Sequence, residues 1–181
     1  MFLYILYKPV SIYALILIII PEEILLKENI IRGVQGEEYK FDSFIKEVVE
    51  LNRNGYGIFI GSDSQIIKDK VSMVTCVCAY KNGGGGSRIF YVKNRLPKKK
   101  FPTTRLRLLY EAYKSIETAM ELDEFIDDNL TIHLDIGSDM IRSYSSRYKK
   151  ELQTLVTSQG YGCEIKPDSW ASSVADRFTK S

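Results

Sequence analysis

The stretch GIFIGSDSQ, residues 57–65, decides how the chain is read. Residues 57–60 carry no charge and read as a buried central strand, and Gly61 lets another backbone come close where that strand ends. Asp63 then stands at the carboxyl end of the strand, the edge at which open α/β sheets place ligands and ions. Taken alone, Ser62, Asp63 and Ser64 would serve equally well as a turn cap. A second stretch, TIHLDIGSD at 131–139, repeats the design with a strand closing on Asp135 and Gly137 just beyond. Two strands delivering carboxylates to one edge of a sheet point to a divalent-cation site.

Around these two stretches the pattern predicts an α/β domain. Residues 40–54 place Phe41, Phe44, Ile45, Val48, Val49 and Leu51 at helical spacing, with Gly55 as the stop. The first strand follows at 56–62, and residues 70–81 and 87–93 read as two more, joined through the glycines at 83–86. Such short connections make the three an antiparallel meander. A helix capped by Thr103 or Thr104 runs to about Leu122, with Leu106, Leu109, Tyr113, Ile116 and Met120 as its apolar face and Glu111 off the centre of that face. Its length suits a crossover, so the fourth strand, 130–136, can lie parallel to and beside the first, bringing Asp63 and Asp135 together. A helix starting at Ser138 or Asp139 and ending near Gln159, a short fifth strand at 161–166 and a last helix complete the chain. In that last helix Trp170, Val174 and Phe178 recur every fourth residue, and Asp176 lies on the other flank. The expectation is a mixed five-stranded sheet, a three-strand meander plus two parallel strands, flanked by helices.

Charge and composition narrow the function. The 181 residues carry a net charge of +2, so attraction to nucleic acid has to come from local clustering. Residues 93–107 supply it, with seven basic side chains and no acidic one. Lys98, Lys99, Lys100, Arg105 and Arg107 could track a phosphate backbone with Phe101 free for a base or sugar, or the segment could be an ordinary solvated loop. Cys76, Cys78 and Cys163 lack metal or redox spacing and read as small buried hydrophobes of a reducing, cytoplasmic compartment. The single histidine, His133, falls inside the buried fourth strand and reads as structural, which leaves no general base for a Ser-His-Asp mechanism. Residues 1–35 form an apolar extension and 36–181 the domain. The apolar run at 10–20 is too short to cross a bilayer and lacks a signal-peptide cleavage site, so membrane contact through residues 1–30 is the disfavoured reading.

Four motifs in order, GSDSQ at 61–65, Arg105 six residues before Glu111, HLDIG at 133–137 and KPDSWASSVADRFTK at 166–180, resemble the YkuK-type family within the ribonuclease H-like superfamily. The resemblance covers roughly residues 36–181. It implies metal-binding, catalytic acids at Asp63, Glu111, Asp135 and Asp176, with Asp168 a weaker candidate, and no exonuclease-type acid at position 65, which is Gln. Carboxylates so gathered need cations, and Mg²⁺ or Mn²⁺ suits oxygen ligands. Asp63 would then bridge two ions, with Asp135 and Glu111 completing one site and Asp176 the other. The implied activity is two-metal hydrolysis of RNA, RNA–DNA hybrid or DNA, with Lys98, Lys99, Lys100 and Arg105 on the substrate and no small-molecule cofactor. The alternative is a module of the same fold that binds nucleic acid or protein without cleaving it.

Overall fold

The computed structural model describes residues 26–83, 85–126, 130–137 and 144–180. Strands β1 (Ile31–Gly33), β2 (Glu38–Tyr39), β3 (Gly57–Ile67), β4 (Lys70–Tyr80), β5 (Ser87–Pro97), β6 (Leu130–Leu134) and β7 (Gly162–Ile165) form one sheet in the order β2-β1-β5-β4-β3-β6-β7. Helices α1 (Phe41–Arg53), α2 (Thr104–Asp123), α3 (Lys149–Thr157) and α4 (Trp170–Thr179) flank it. β3, β4 and β5 are the antiparallel meander, and β6 and β7 are added in parallel beyond β3.

The sheet has seven strands rather than five. The additional pair, β1 and β2, is three and two residues long, too short to show a period of two in the sequence. β1 is nevertheless held, because Arg32 and Gly33 pair with Tyr91 and Phe90 of β5 and Ile31 is buried. Just before it, the backbone N–H groups of Leu26 and Lys27 donate to the carboxylate of Glu121, which ties this segment to the end of α2.

The first meander strand also runs further than expected. Ser62, Asp63, Ser64 and Gln65 form no turn; they continue β3 and pair in register with Thr75, Val74, Met73 and Ser72. Polar residues are tolerated there because their hydroxyls find partners: Ser62 Oγ lies 2.9 Å from Thr75 Oγ1 and 2.8 Å from Ser115 Oγ of α2. β5 likewise extends to Pro97, so residues 93–97 of the basic segment are strand, and Lys98–Lys100 is a single 3₁₀ turn. Phe101 is buried against Tyr110, with ring centroids 5.2 Å apart, and is closed to any base.

The sheet separates two cores. Ile58, Ile60, Val71, Met73, Val77, Phe90 and Val92 face the main core with α1, α2 and α3. The other face carries Phe59, Val74, Cys76, Cys78, Ile89 and Tyr91 beneath α4. The strand alternation sets this division, since paired residues such as Gly61, Cys76 and Tyr91 share a face. α2 is buried over a wider arc than one apolar stripe: Glu111, Lys114, Ser115 and Glu117 are inside, whereas Met120, expected inward, is exposed. Residues 138–143, where the third helix was expected to begin, lie outside the described residues; a 3₁₀ turn, Tyr144–Tyr148, leads into α3.

Candidate acidic centre and basic sheet end

Parallel pairing of β3 with β6 stops at Gly61 opposite His133. Two residues on, in the same register, Asp63 on β3 and Asp135 just past β6 come side by side. Gly61 is what lets α4 close over this junction: a Cβ there would stand 2.4 Å from Ser172 N and 2.6 Å from Ala171 C, so α4 rests directly on bare backbone. His133 fixes the start of the same helix. Its Nδ1 accepts a hydrogen bond from Ala171 N at 3.0 Å, and its ring lies 5.1 Å from Phe59 and 5.5 Å from Trp170. Burial pushes its pKa down to about 4, so it stays neutral and acts as a helix anchor.

Four carboxylates surround this junction in different circumstances. Asp63 has its carboxyl pushed up to about 7, chiefly by burial and then by the charge of Asp135, with Asp176 adding to it. Glu111 reaches the junction from α2, on the opposite face of the sheet. Its carboxyl is pushed up to about 8 by burial first and by Asp63 second, with Arg107 opposing. Glu111 Oε1 accepts from Ser64 Oγ at 2.5 Å and from Arg107 Nη1 at 3.2 Å, while the same guanidinium nitrogen donates to Ser64 O at 2.6 Å. Asp135 Oδ1 is buried, accepts no hydrogen bond in proper geometry and is met by the Lys166 ammonium as an ion pair. Asp176 is half exposed, 3.9 Å from Lys180 Nζ.

All four expected acids are thus in one neighbourhood, and each of Asp63 and Glu111 feels its neighbours' charge. They do not form one coordination sphere. Among the described residues no group of three or more His, Cys, Asp or Glu side chains is arranged to hold a metal ion. The donor chemistry says why: the near oxygen of Glu111 is committed to Ser64 and Arg107, and Asp135 and Asp176 face lysines. As arranged, the four-acid ligand set does not fit a two-ion centre.

The basic segment is dispersed in a comparable way. Lys93 Nζ donates to the carbonyl oxygen of Phe178 at 2.8 Å, at the end of α4. Arg105 forms a two-toothed ion pair with Glu151 of α3, and Arg107 serves Glu111. Lys98 and Lys99 remain exposed. Beside them stand cations absent from the expected cluster, Lys68 of the β3–β4 turn and Lys70 at the start of β4, since Lys98 N donates to Asp69 O and Lys70 pairs with Pro97. Their sequence signal is weak, since lysines beside a turn are ordinary solvation. The role of Arg107 was more legible: Arg107 and Glu111 stand four residues apart on one helix, the spacing of an intrahelical ion pair.

A ribonuclease H-like family model matches residues 41–180, and the chain belongs to that family. It is similar to the uncharacterized protein YkuK of Bacillus subtilis strain 168, with 29% identity over 145 residues, covering 71% of this chain and 81% of the relative. No solved structure gives a significant match. The fold is one used both by nucleases and by modules that bind without catalysis. Among the described residues no helix is long and apolar enough to cross a membrane.

Proposed function

We propose that the chain is a nucleic-acid-binding module of ribonuclease H-like fold, in which the carboxylates of the ancestral centre are engaged by the protein's own side chains. The observation that carries this reading is Glu111: it is buried and its carboxylate is taken by Ser64 and Arg107. The exposed Lys98 and Lys99, together with Lys100, supply the surface that follows a phosphate backbone.

Binding of single-stranded RNA, single-stranded DNA and RNA–DNA hybrid, followed by fluorescence anisotropy, is expected to be the same with chelator as with Mg²⁺. Replacing Lys98, Lys99 and Lys100 together by Gln is expected to weaken every substrate and to flatten the salt dependence, by up to about 2.7 log units per log salt for three duplex phosphate contacts. An unchanged slope removes the turn from the interface.

A metal-dependent nuclease is the second reading, and the adjacency of Asp63 and Asp135 is what favours it. A Mn²⁺-dependent cleavage panel over the same substrates and branched junctions separates the two. Cleavage by the wild type that disappears in Asp63→Asn would overturn the binding-module reading.

A further inference from the structure

Beyond the end of α4 one row of the sheet lies uncovered by the helix. Gln65 of β3, Ser72 of β4 and Arg95 of β5 are paired across three strands and therefore share the α4 face. α4 reaches only to the edge of this row, where Thr179 Oγ1 donates to Gln65 Oε1 at 3.4 Å. Past it opens a cleft of about 290 Å³ lined by Ile67, Lys68, Asp69, Lys70, Ser72 and Arg95. That volume is near the lower limit for ligand pockets and suits one small group rather than a whole cofactor.

Three features of the cleft point to an anion. Its lining brings Lys68, Lys70 and Arg95 against a single carboxylate, Asp69. Ser72 is 1% exposed, and its Oγ has no hydrogen-bond partner among the described residues. An unsatisfied buried hydroxyl costs about 1–3 kcal/mol, so a protein that needed only the packing would do better with alanine. Lys68, at the tip of the β3–β4 turn, has φ of 57°, a left-handed conformation uncommon outside glycine, asparagine and aspartate.

We propose that this cleft is a phosphate subsite, in which Arg95, Lys68, Lys70 and the Ser72 hydroxyl hold one phosphate group of a nucleic-acid chain. This deepens the nucleic-acid reading and rests on it. A tetrahedral anion offers oxygens in several directions, which matches a lining that supplies a guanidinium fork, two ammonium groups and a hydroxyl from β4, β5 and the β3–β4 turn better than the two oxygens of a planar carboxylate do. Ile67, exposed in the cleft lining beside Lys68, gives the flanking sugar or base an apolar rest. Gln65 is two residues from Asp63, about 7 Å along the strand. A chain anchored here runs past the acidic junction.

The test uses the full chain, with inorganic phosphate as one probe and single-stranded oligonucleotides with a 5′-phosphate or a 5′-hydroxyl as the others. Ser72→Ala and Arg95→Gln are each expected to weaken phosphate and oligonucleotide binding about tenfold, while Ser72→Ala leaves the melting temperature unchanged or raises it. A loss confined to the 5′-phosphorylated oligonucleotide assigns the site to a chain end; equal loss for both assigns it to an internal phosphodiester. A lower melting temperature for Ser72→Ala, or displacement of phosphate by oligoglutamate as effectively as by oligonucleotide, would overturn the proposal. Oligonucleotide binding that survives both variants but is lost when Lys98 and Lys99 are replaced by Gln overturns the subsite and leaves the nucleic-acid reading standing. Phosphate binding lost in both variants, with no oligonucleotide bound by the wild type, overturns the nucleic-acid source and with it the proposed function.

Discussion

The acidic junction between β3 and β6 and the basic cleft at the far end of β3, β4 and β5 are neighbouring rows of one sheet, yet they handle charge in opposite ways. At the junction, carboxylates are drawn inside and each is compensated locally: Glu111 by Ser64 and Arg107, Asp135 by Lys166, Asp63 by the Ser64 backbone N–H and by a raised pKa. In the cleft, Lys68, Lys70 and Arg95 form no ion pair that the described residues show, apart from the company of Asp69, and the buried hydroxyl of Ser72 in the same lining is unsatisfied. Buried like charges have to be neutralised by the protein itself, because no water is there to do it, whereas charges at a sheet edge can wait for solvent or a ligand. The junction is therefore a stability problem that the fold has solved at Glu111 and Asp135 and left in part at Asp63. The cleft is a cost left open, and sites of that kind are where ligands bind.

The largest expected effect breaks the junction's closure. Gly61→Ala drives a Cβ into the backbone of Ala171 and Ser172, which cannot move aside as a flexible side chain would. α4 should lift, at a cost of about 3 kcal/mol, seen as a fall in melting temperature of about 6–12 °C for a chain of this size. A fall of under about 2 °C would show that α4 does not rest on β3 in this way.

Next comes the internal compensation itself. Arg107→Met removes the guanidinium opposing the rise in the Glu111 pKa, so the variant should lose about 2 kcal/mol at pH 9, where the carboxylate is ionised, and much less at pH 6, where it is already protonated. Equal destabilisation at both values, measured by denaturant unfolding, would assign Arg107 to packing alone.

The smallest effect is a gain. The folded pKa values of Asp63 and Glu111, about 7 and about 8, lie above their ordinary values of 3.8 and 4.5, so the native state binds more protons than the unfolded chain. Their linkage makes stability fall as pH rises from about 4 through about 8. His133 acts in the other direction: with its pKa lowered from 6.5 to about 4, it removes stability as pH falls through that window. In the presence of chelator, Asp63→Asn is expected to raise the melting temperature at pH 8 by about 2–4 °C, for about 1 kcal/mol of relief, and to change little at pH 4. A lower melting temperature at pH 8 would mean that the carboxylate of Asp63 is needed to hold β3.

What the sequence determined by itself is the part governed by period and chain order. The uncharged run at 57–60, the β-rich strands after it and a crossover helix of the right length are enough to put β3, β4, β5 and β6 in their places, and with them Asp63 beside Asp135. The structural histidine was legible for the same reason, since burial follows from a place in a central strand. What only the tertiary structure decided is which charges meet. Arg105 was free to face a phosphate until α3 brought Glu151 against it, and Lys166 had no stated partner until β7 placed it beside Asp135. Ser72 looked like one polar residue in a buried strand until the row from Gln65 to Arg95 was assembled around it past the end of α4. Strand and helix periods act over a few residues, so sequence carries them; charge pairing and hydrogen-bond satisfaction act between residues brought together only by packing, as Ser64 and Arg107 are at Glu111.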